Sequence, residues 1–449
     1  MDEIYQFLEN NQQTILSQLI EFLRLPSVAA KGDNEIMEKT AAWVTDLLEK
    51  SGLKAQIHET EGIPIVTGHL DVGAQKTLLY YDHFDVQPAE PLELWESPPF
   101  EPTIRNQRLF ARGVADNKGD TLSRIWAVKA FVETGTDLPV NIKFLIEGEE
   151  EAGSPNLPDF VKQNQDFLRA DGGIWEFGGA ESDGVQQAWL GLKGLLYVQL
   201  ETRKVGMDAH SAYASFLPSA TWRMIWALNS LKDENEKVLI EGFYDDVQPL
   251  SDPELEVIQN TEFFPDFLKE YYHIDTFVKN MDCQQLKNNF YNEPTCNICG
   301  IGSGWQGPGG KTVLPAEAMA KVDFRLVKDQ EIEDILRKLR NHLDSKGFSD
   351  IKIVWYEGYR AAKTPVNHPF VDVVRKATLA IHGHEPRIHI TNPGSGPLYL
   401  FEDIVPMVSI GCDDFDSRAH SPNESVPLSL FFLDIKRQTK IIDEMGRTN

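Results

Sequence analysis

Short apolar runs bounded by turn residues alternate with segments of three-to-four apolar spacing along the start of the chain; the alternation stops near Lys193 and resumes after Asn367. Strand and helix signals in that rhythm fold as a layered α/β domain with a parallel or mixed sheet. In the outer parts the spacing predicts helices over 4–23 (closed by Pro26), 36–48, 117–134, 370–381 and 427–445, with strands over 65–67, 77–81, 140–146, 173–177 and 404–410. The middle reads differently. It offers a long alternating strand over 195–202, a helix over 219–231, an irregular acidic stretch over 233–295, a strand over 318–327, a helix over 330–343 and a strand over 351–356. Such a series suits a small α+β domain with an antiparallel sheet. The expected architecture is therefore α/β: an α/β/α sandwich built from 1–192 and 364–449, with a smaller α+β domain, 193–363, inserted into it.

Composition narrows the function classes. The net charge of −26 repels phosphate backbones and anionic lipid surfaces, so nucleic-acid and membrane roles are not expected. No apolar run approaches the roughly 18 residues that span a bilayer. The acidic start, Met1-Asp2-Glu3-Ile4, has neither the basic nor the apolar part of a signal peptide, which makes a cytoplasmic protein the expectation. Four cysteines in 449 residues form no disulfide framework. Cys296-Asn-Ile-Cys299 has redox or zinc-knuckle spacing, but no second such pair accompanies it, and reduced structural thiols are expected.

Three elements carry the chemistry, two of them at strand ends, where open α/β sheets place their sites. In Tyr81-Asp82-His83-Phe84-Asp85 the extended chain points His83 and Asp85 the same way, so an imidazole can bind a metal while a carboxylate holds its other nitrogen. A decoy, Gly68-His69-Leu70-Asp71-Val72, shows how weak that signal is alone. In Arg112-Gly113-Val114-Ala115-Asp116-Asn117 a turn presents Asp116 as a helix begins, either as a bridge between two cations or as a simple N-cap. Glu147-Gly148-Glu149-Glu150-Glu151-Ala152-Gly153-Ser154 leaves several carboxylates at a strand end; a divalent cation would neutralise one and leave another as a base, and a solvated acidic loop is the alternative.

Together and in this order, the three elements resemble the dinuclear-metal aminoacylase, carnosinase and glutamate-carboxypeptidase family, and most of all its carnosinase-like cytosolic dipeptidases. The resemblance covers essentially the whole chain and makes the inserted domain a lid and dimerisation domain. It implies His83 as a ligand of one metal, Asp85 as that imidazole's partner, and Asp116 as the bridging ligand. The family's fixed distance to Gly153-Ser154 implies Glu150 as general base and Glu151 as ligand. Glu176, after the short strand Gly173-Ile174-Trp175, is implied as the next acidic ligand, and His420 in Arg418-Ala419-His420-Ser421-Pro422-Asn423-Glu424 as the last. Two divalent cations per chain follow. An N/O donor set without thiolate suits Zn²⁺, and Mn²⁺ or Co²⁺ would also fit.

Residues toward substrate are implied in the same way. Asp208-Ala209-His210-Ser211 resembles the lid element whose histidine reaches the partner subunit's site, so a homodimer is expected. Arg325 matches a lid arginine that pairs with a substrate carboxylate. Gly394, Ser395 and Gly396 resemble a carboxylate-binding loop, although the family's Gly-Gly-Ser reads Pro393-Gly394-Ser395 here. The expected activity is hydrolysis of dipeptides or short peptides. An N-acyl-amino-acid deacylase is the runner-up and a silent metal-binding homologue a third reading, which the filled ligand positions oppose.

Overall fold

A computed structural model describes residues 1–448. The chain divides into two compact units: Met1–Gly191 with Lys363–Ile390 and Leu400–Asn449, and Leu192–Ala362 with Thr391–Tyr399. The short stretch Thr391–Tyr399, which the sequence places in the outer sandwich, clusters with the inserted unit.

The outer unit is built on an eight-stranded mixed sheet in the order Lys54–His58, Ile65–Leu70, Asn141–Glu147, Thr77–His83, Gly172–Trp175, Met407–Ser409, Gln187–Trp189, Arg387–His389. The four middle strands, Asn141–Glu147 to Met407–Ser409, run parallel. Their near-continuous apolar sequence fits burial on both faces, and Leu78, Leu79, Tyr80, Ile142, Phe144, Ile174 and Val408 are all fully buried. Helix Gly119–Thr134 packs on strand Thr77–His83 and on helices Asp2–Asn10 and Leu428–Arg447. Enclosed in this way, it has Leu122, Ile125, Trp126, Val128 and Phe131 in the core. At roughly 1.5–3 kcal/mol for each large apolar side chain, that burial fixes the helix on the sheet and with it the turn at its head.

The first expected helix is two, Asp2–Asn10 and Gln12–Leu23. Asn11 breaks it: its side chain donates to the Phe7 carbonyl at 2.8 Å, competing with the helical ladder. Strands Lys54–His58, Gln187–Trp189 and Arg387–His389 lie outside the expected set. All three are short and half-polar, and they are held by their neighbours more than by pattern.

The inserted unit is a four-stranded antiparallel sheet in the order Thr295–Ser303, Glu317–Leu326, Gly194–Arg203, Lys352–Tyr359. Alternation along Gly194–Arg203 sends Leu196, Val198 and Leu200 into a core shared with helices Ala220–Leu231 and Ile332–Ser345. One expectation is corrected here. The supposedly irregular 233–295 contains helices Asp252–Asn260, Pro265–Tyr272 and Cys283–Asn292, the first and last opened by capping boxes at Ser251/Glu254 and Asp282/Gln285. Cys296 and Cys299 lie in the edge strand Thr295–Ser303, with Cys296 in the core and Cys299 exposed. Among the described residues, no helix is long and apolar enough to cross a membrane.

Candidate metal centre

The parallel strands of the outer unit end together, and four of the six clustered groups follow from those ends. His83 is the last residue of Thr77–His83 and is fully buried. Its Nδ1 lies 3.0 Å from the Asp85 carbonyl and 3.3 Å from Asp85 Oδ1, which leaves Nε2 for other partners. Asp85 does more than orient the imidazole: its carboxylate also accepts the N–H groups of Glu150 at 3.2 Å and Glu151 at 3.0 Å. One buried carboxylate thus ties the His83 strand end to the acidic turn Glu150–Ala152.

Asp116 sits inside the tight turn Val114–Lys118, with φ −131° and ψ 89°, and its peptide bond to Asn117 is cis. Helix Gly119–Thr134 starts later than expected, and no side chain caps it. The N-cap alternative therefore fails. The Asp116 carboxylate faces two imidazoles instead, with Oδ1 at 3.0 Å from His83 Nε2 and Oδ2 at 2.9 Å from His420 Nε2. What holds this turn is a residue to which the sequence assigns no role. Glu424, fully buried, accepts the N–H groups of Gly113, Ala115 and Asp116 and a 2.6 Å bond from Arg112. Its loss would strand several buried donors at roughly 1–3 kcal/mol each. That exceeds the roughly 1–2 kcal/mol of entropy that opposes ordering any one residue of the turn.

The three adjacent glutamates separate by their partners. Glu149 Oε2 accepts from Asn156 Nδ2 at 2.6 Å. Glu151 Oε2 accepts from Gln87 at 2.7 Å and lies 3.2 Å from His420 Nε2. Ligand atoms fall into two groups, His83 with Glu150 and Glu176, and Asp116 with Glu151 and His420, each within 4.8 Å of one another. His69, the decoy, stands in strand Ile65–Leu70 edge-on to Phe167 and belongs to neither group.

The electrostatics are those of a cluster of carboxylates. Burial, with Asp116 and Glu151 adding to it against His83, pushes the Glu150 carboxyl up to about 8. Burial and then Glu150 push Glu176 well above the carboxylate range. Hydrogen bonds to Asp116 and Glu151 push His420 up to about 10. Burial favours neutral His83, but Glu176, Asp116 and Asp85 outweigh it and push its pKa well up. Among the described residues, Glu151 Oε1 and Glu176 Oε2 are buried without a hydrogen-bond donor, the latter 3.1 Å from His83 Nε2 but outside hydrogen-bond geometry. Four carboxylates around two imidazoles, two with orphaned oxygens, fit a pair of divalent cations of matching charge.

In the inserted unit, Arg325 Nη1 donates to Ser395 Oγ at 3.0 Å and Nε to Asp323 at 3.2 Å. The Gly394 N–H is turned onto Asn392 Oδ1 at 2.7 Å, and Gly396 follows Ser395 at the end of this loop. His210 is exposed; its Nδ1 accepts the Ala212 N–H at 3.1 Å, and its Nε2 lies 3.4 Å from Thr312 Oγ1.

Comparison with known proteins places this arrangement. Residues 79–444 match peptidase family M20/M25/M40. The chain belongs to that family. Among curated relatives, Cys-Gly metallodipeptidase dug1 of Schizosaccharomyces pombe is 28% identical over 474 residues, covering 99% of this chain and 98% of the relative. Human Beta-Ala-His dipeptidase is 26% identical, covering 95% and 89%. Among solved structures, the M20 family metallo-carboxypeptidase Sso-CP2 of Sulfolobus solfataricus superposes with a TM-score of 0.92 at 36% identity over 97% of this chain and 99% of that one. Human carnosine dipeptidase 1 gives 0.80 at 25%, covering both chains fully. As a member of the M20 family, the chain is a metal-dependent peptide hydrolase.

Proposed function

We propose that the chain cleaves dipeptides and short peptides at the amide bond beside the C-terminal residue, with His83, Asp116, Glu151, Glu176 and His420 holding two divalent cations and Glu150 moving the proton. The observation that carries this reading is Asp116 between two imidazoles, one oxygen 3.0 Å from His83 and the other 2.9 Å from His420. When bound, the cations supply Lewis acidity, polarising the scissile carbonyl and lowering the pKa of the attacking water; the donor set supports Zn²⁺, with Mn²⁺ or Co²⁺ as alternatives. Glu150 takes the proton of that water and delivers it to the leaving amine. Its raised pKa has burial as first cause and the like charges of Asp116 and Glu151 among the others. Cations held by those carboxylates cancel the like-charge part, so Glu150 is free to accept a proton and basic enough to carry it.

Arg325 and Ser395 are read as receptors for the substrate's free carboxylate, and Asp323 holds the guanidinium in place. The experiment compares dipeptides, C-terminally amidated dipeptides and N-acetyl amino acids, each with Zn²⁺, Mn²⁺ and Co²⁺. Free dipeptides are expected to be cleaved fastest. Amidation is expected to lower kcat/KM by about 10–150-fold, the worth of a hydrogen bond to a charged group. Preference for N-acetyl amino acids would make the chain a deacylase, and indifference to amidation would remove Arg325 from substrate binding.

His210 is assigned to the partner subunit's site in a homodimer paired through the inserted units, where its imidazole donates to the developing oxyanion. One such donor is worth about 2.7–4 kcal/mol, so His210→Ala is expected to cut turnover by about 10²–10³ without loss of metal. Hybrids of inactive His210→Ala and inactive Glu150→Gln chains should regain activity, because one of their two sites has both groups intact. Confirmed hybrids that stay inactive would exclude the cross-subunit role. Four free thiols, with Cys283 and Cys299 exposed, support a reducing, cytoplasmic setting.

A further inference from the structure

Arg124 lies in helix Gly119–Thr134 with its side chain wholly buried. It does not belong to either group of ligand atoms, yet its guanidinium meets the sheet where the sheet ends. The ladder between Thr77–His83 and Gly172–Trp175 runs from Leu78/Gly172 to Tyr80/Ile174 and stops. The ladder between Gly172–Trp175 and Met407–Ser409 runs from Gly173/Met407 to Trp175/Ser409 and stops. Beyond these points Thr77–His83 stays paired with Asn141–Glu147 as far as His83/Glu147, but buried carbonyls on its other side and just past the two shorter ladders need donors. Arg124 supplies them: Nη1 donates to Tyr81 O at 2.9 Å, and Nη2 to Trp175 O at 2.9 Å and Ile410 O at 3.0 Å. Asp82 Oδ1 fixes the fork through a 2.6 Å bond to Nη1, Asp120 Oδ2 lies 3.8 Å from Nη2, and Nε has no hydrogen-bond partner among the described residues.

His83 stands two residues after Tyr81, and Glu176 follows Trp175 directly. One planar, five-donor group therefore sets the separation of the two strand ends that present His83 and Glu176, whose Nε2 and Oε2 lie 3.1 Å apart. The other group is held by different residues. Asp116 is fixed through Glu424, and Glu151 through Asp85 and Gln87. A lysine would keep the charge opposite Asp82, but a single ammonium cannot span three carbonyls that a fork reaches.

We propose that Arg124 is a positioning residue for the His83–Glu176 half of the centre: by holding three strand ends where their ladders stop, it sets the affinity of one of the two cation positions and leaves the other alone. This rests on the dinuclear reading above. The test titrates Co²⁺ into chelator-treated full-length protein, followed by d–d absorption and calorimetry. Wild type is expected to take two Co²⁺ in two resolvable steps. In Arg124→Lys one step should weaken by about 10–100-fold, as for other residues that orient metal ligands, with the second step unchanged and kcat recovered at high Co²⁺. Arg437→Lys is the comparison for a merely structural role. Arg437 is equally buried and bonds Asp434, Gln186 and the Gly411 carbonyl, but none of its hydrogen bonds goes to the Tyr81, Trp175 or Ile410 carbonyls that Arg124 holds. It should lower the melting temperature and leave both steps in place.

If Arg124→Lys does not fold, the double variant Arg124→Gln/Asp82→Asn, which removes the guanidinium together with the carboxylate bonded to it, takes its place under the same criteria. Equal weakening of both steps, no change in either, or failure of both Arg124 variants to fold while Arg437→Lys folds would overturn the role of Arg124. Fewer than two Co²⁺ in wild type would contradict the dinuclear reading itself and the inference with it.

Discussion

Asp116→Ala is expected to release both cations and bring turnover to background. Among the described residues, Asp116 alone faces an imidazole from each of the two groups, His83 through Oδ1 and His420 through Oδ2, so no remaining carboxylate replaces it at both positions. The substitution removes side-chain atoms only. The turn Val114–Lys118 keeps its anchor, because Glu424 still accepts the N–H groups of residues 113, 115 and 116. Loss of metal should therefore come with an intact fold. Elemental analysis beside thermal unfolding checks it, and full retention of two cations would remove the bridging role.

Glu150→Gln should separate chemistry from binding. The amide has the size of the carboxylate and cannot carry the proton, so both cations are expected to stay while turnover falls by about 10²–10⁴, the range for lost general acid–base help. That corresponds to about 2.7–5.4 kcal/mol on the barrier. The neighbouring Glu149→Gln is the control for register, since its carboxylate is occupied by Asn156. It should change turnover little. A silent Glu149→Gln beside an active Glu150→Gln would shift the base by one residue.

How much of this was legible depended on whether the determinant was local. The strands ending at His83, Glu147 and Trp175 are apolar runs closed by polar residues, and buried parallel strands have that pattern whatever surrounds them. The pairing of His83 with Asp85 follows from the two-residue period of extended chain, and the contact is there. Helices in 233–295 escaped because they are short and largely polar, and their capping boxes are only four residues long. Glu424 and Arg124 escaped for a different reason. Glu424 binds backbone roughly 310 positions away, and Arg124 joins the ends of strands that only the finished sheet brings together. A buried charge paired across the fold leaves no periodic trace in sequence. Asp116 is the intermediate case: its turn was visible, but whether it capped a helix or faced two imidazoles was decided by His420, 304 residues on.

Metal content and turnover measured on the same samples of wild type, Asp116→Ala and Glu150→Gln bear most directly on the dinuclear peptidase. Two cations with full activity, none with no activity, and two with activity lowered by about 10²–10⁴ is the expected set. Wild type that hydrolyses dipeptides undiminished after its metal has been stripped, or Glu150→Gln that loses cations in step with turnover, would contradict it.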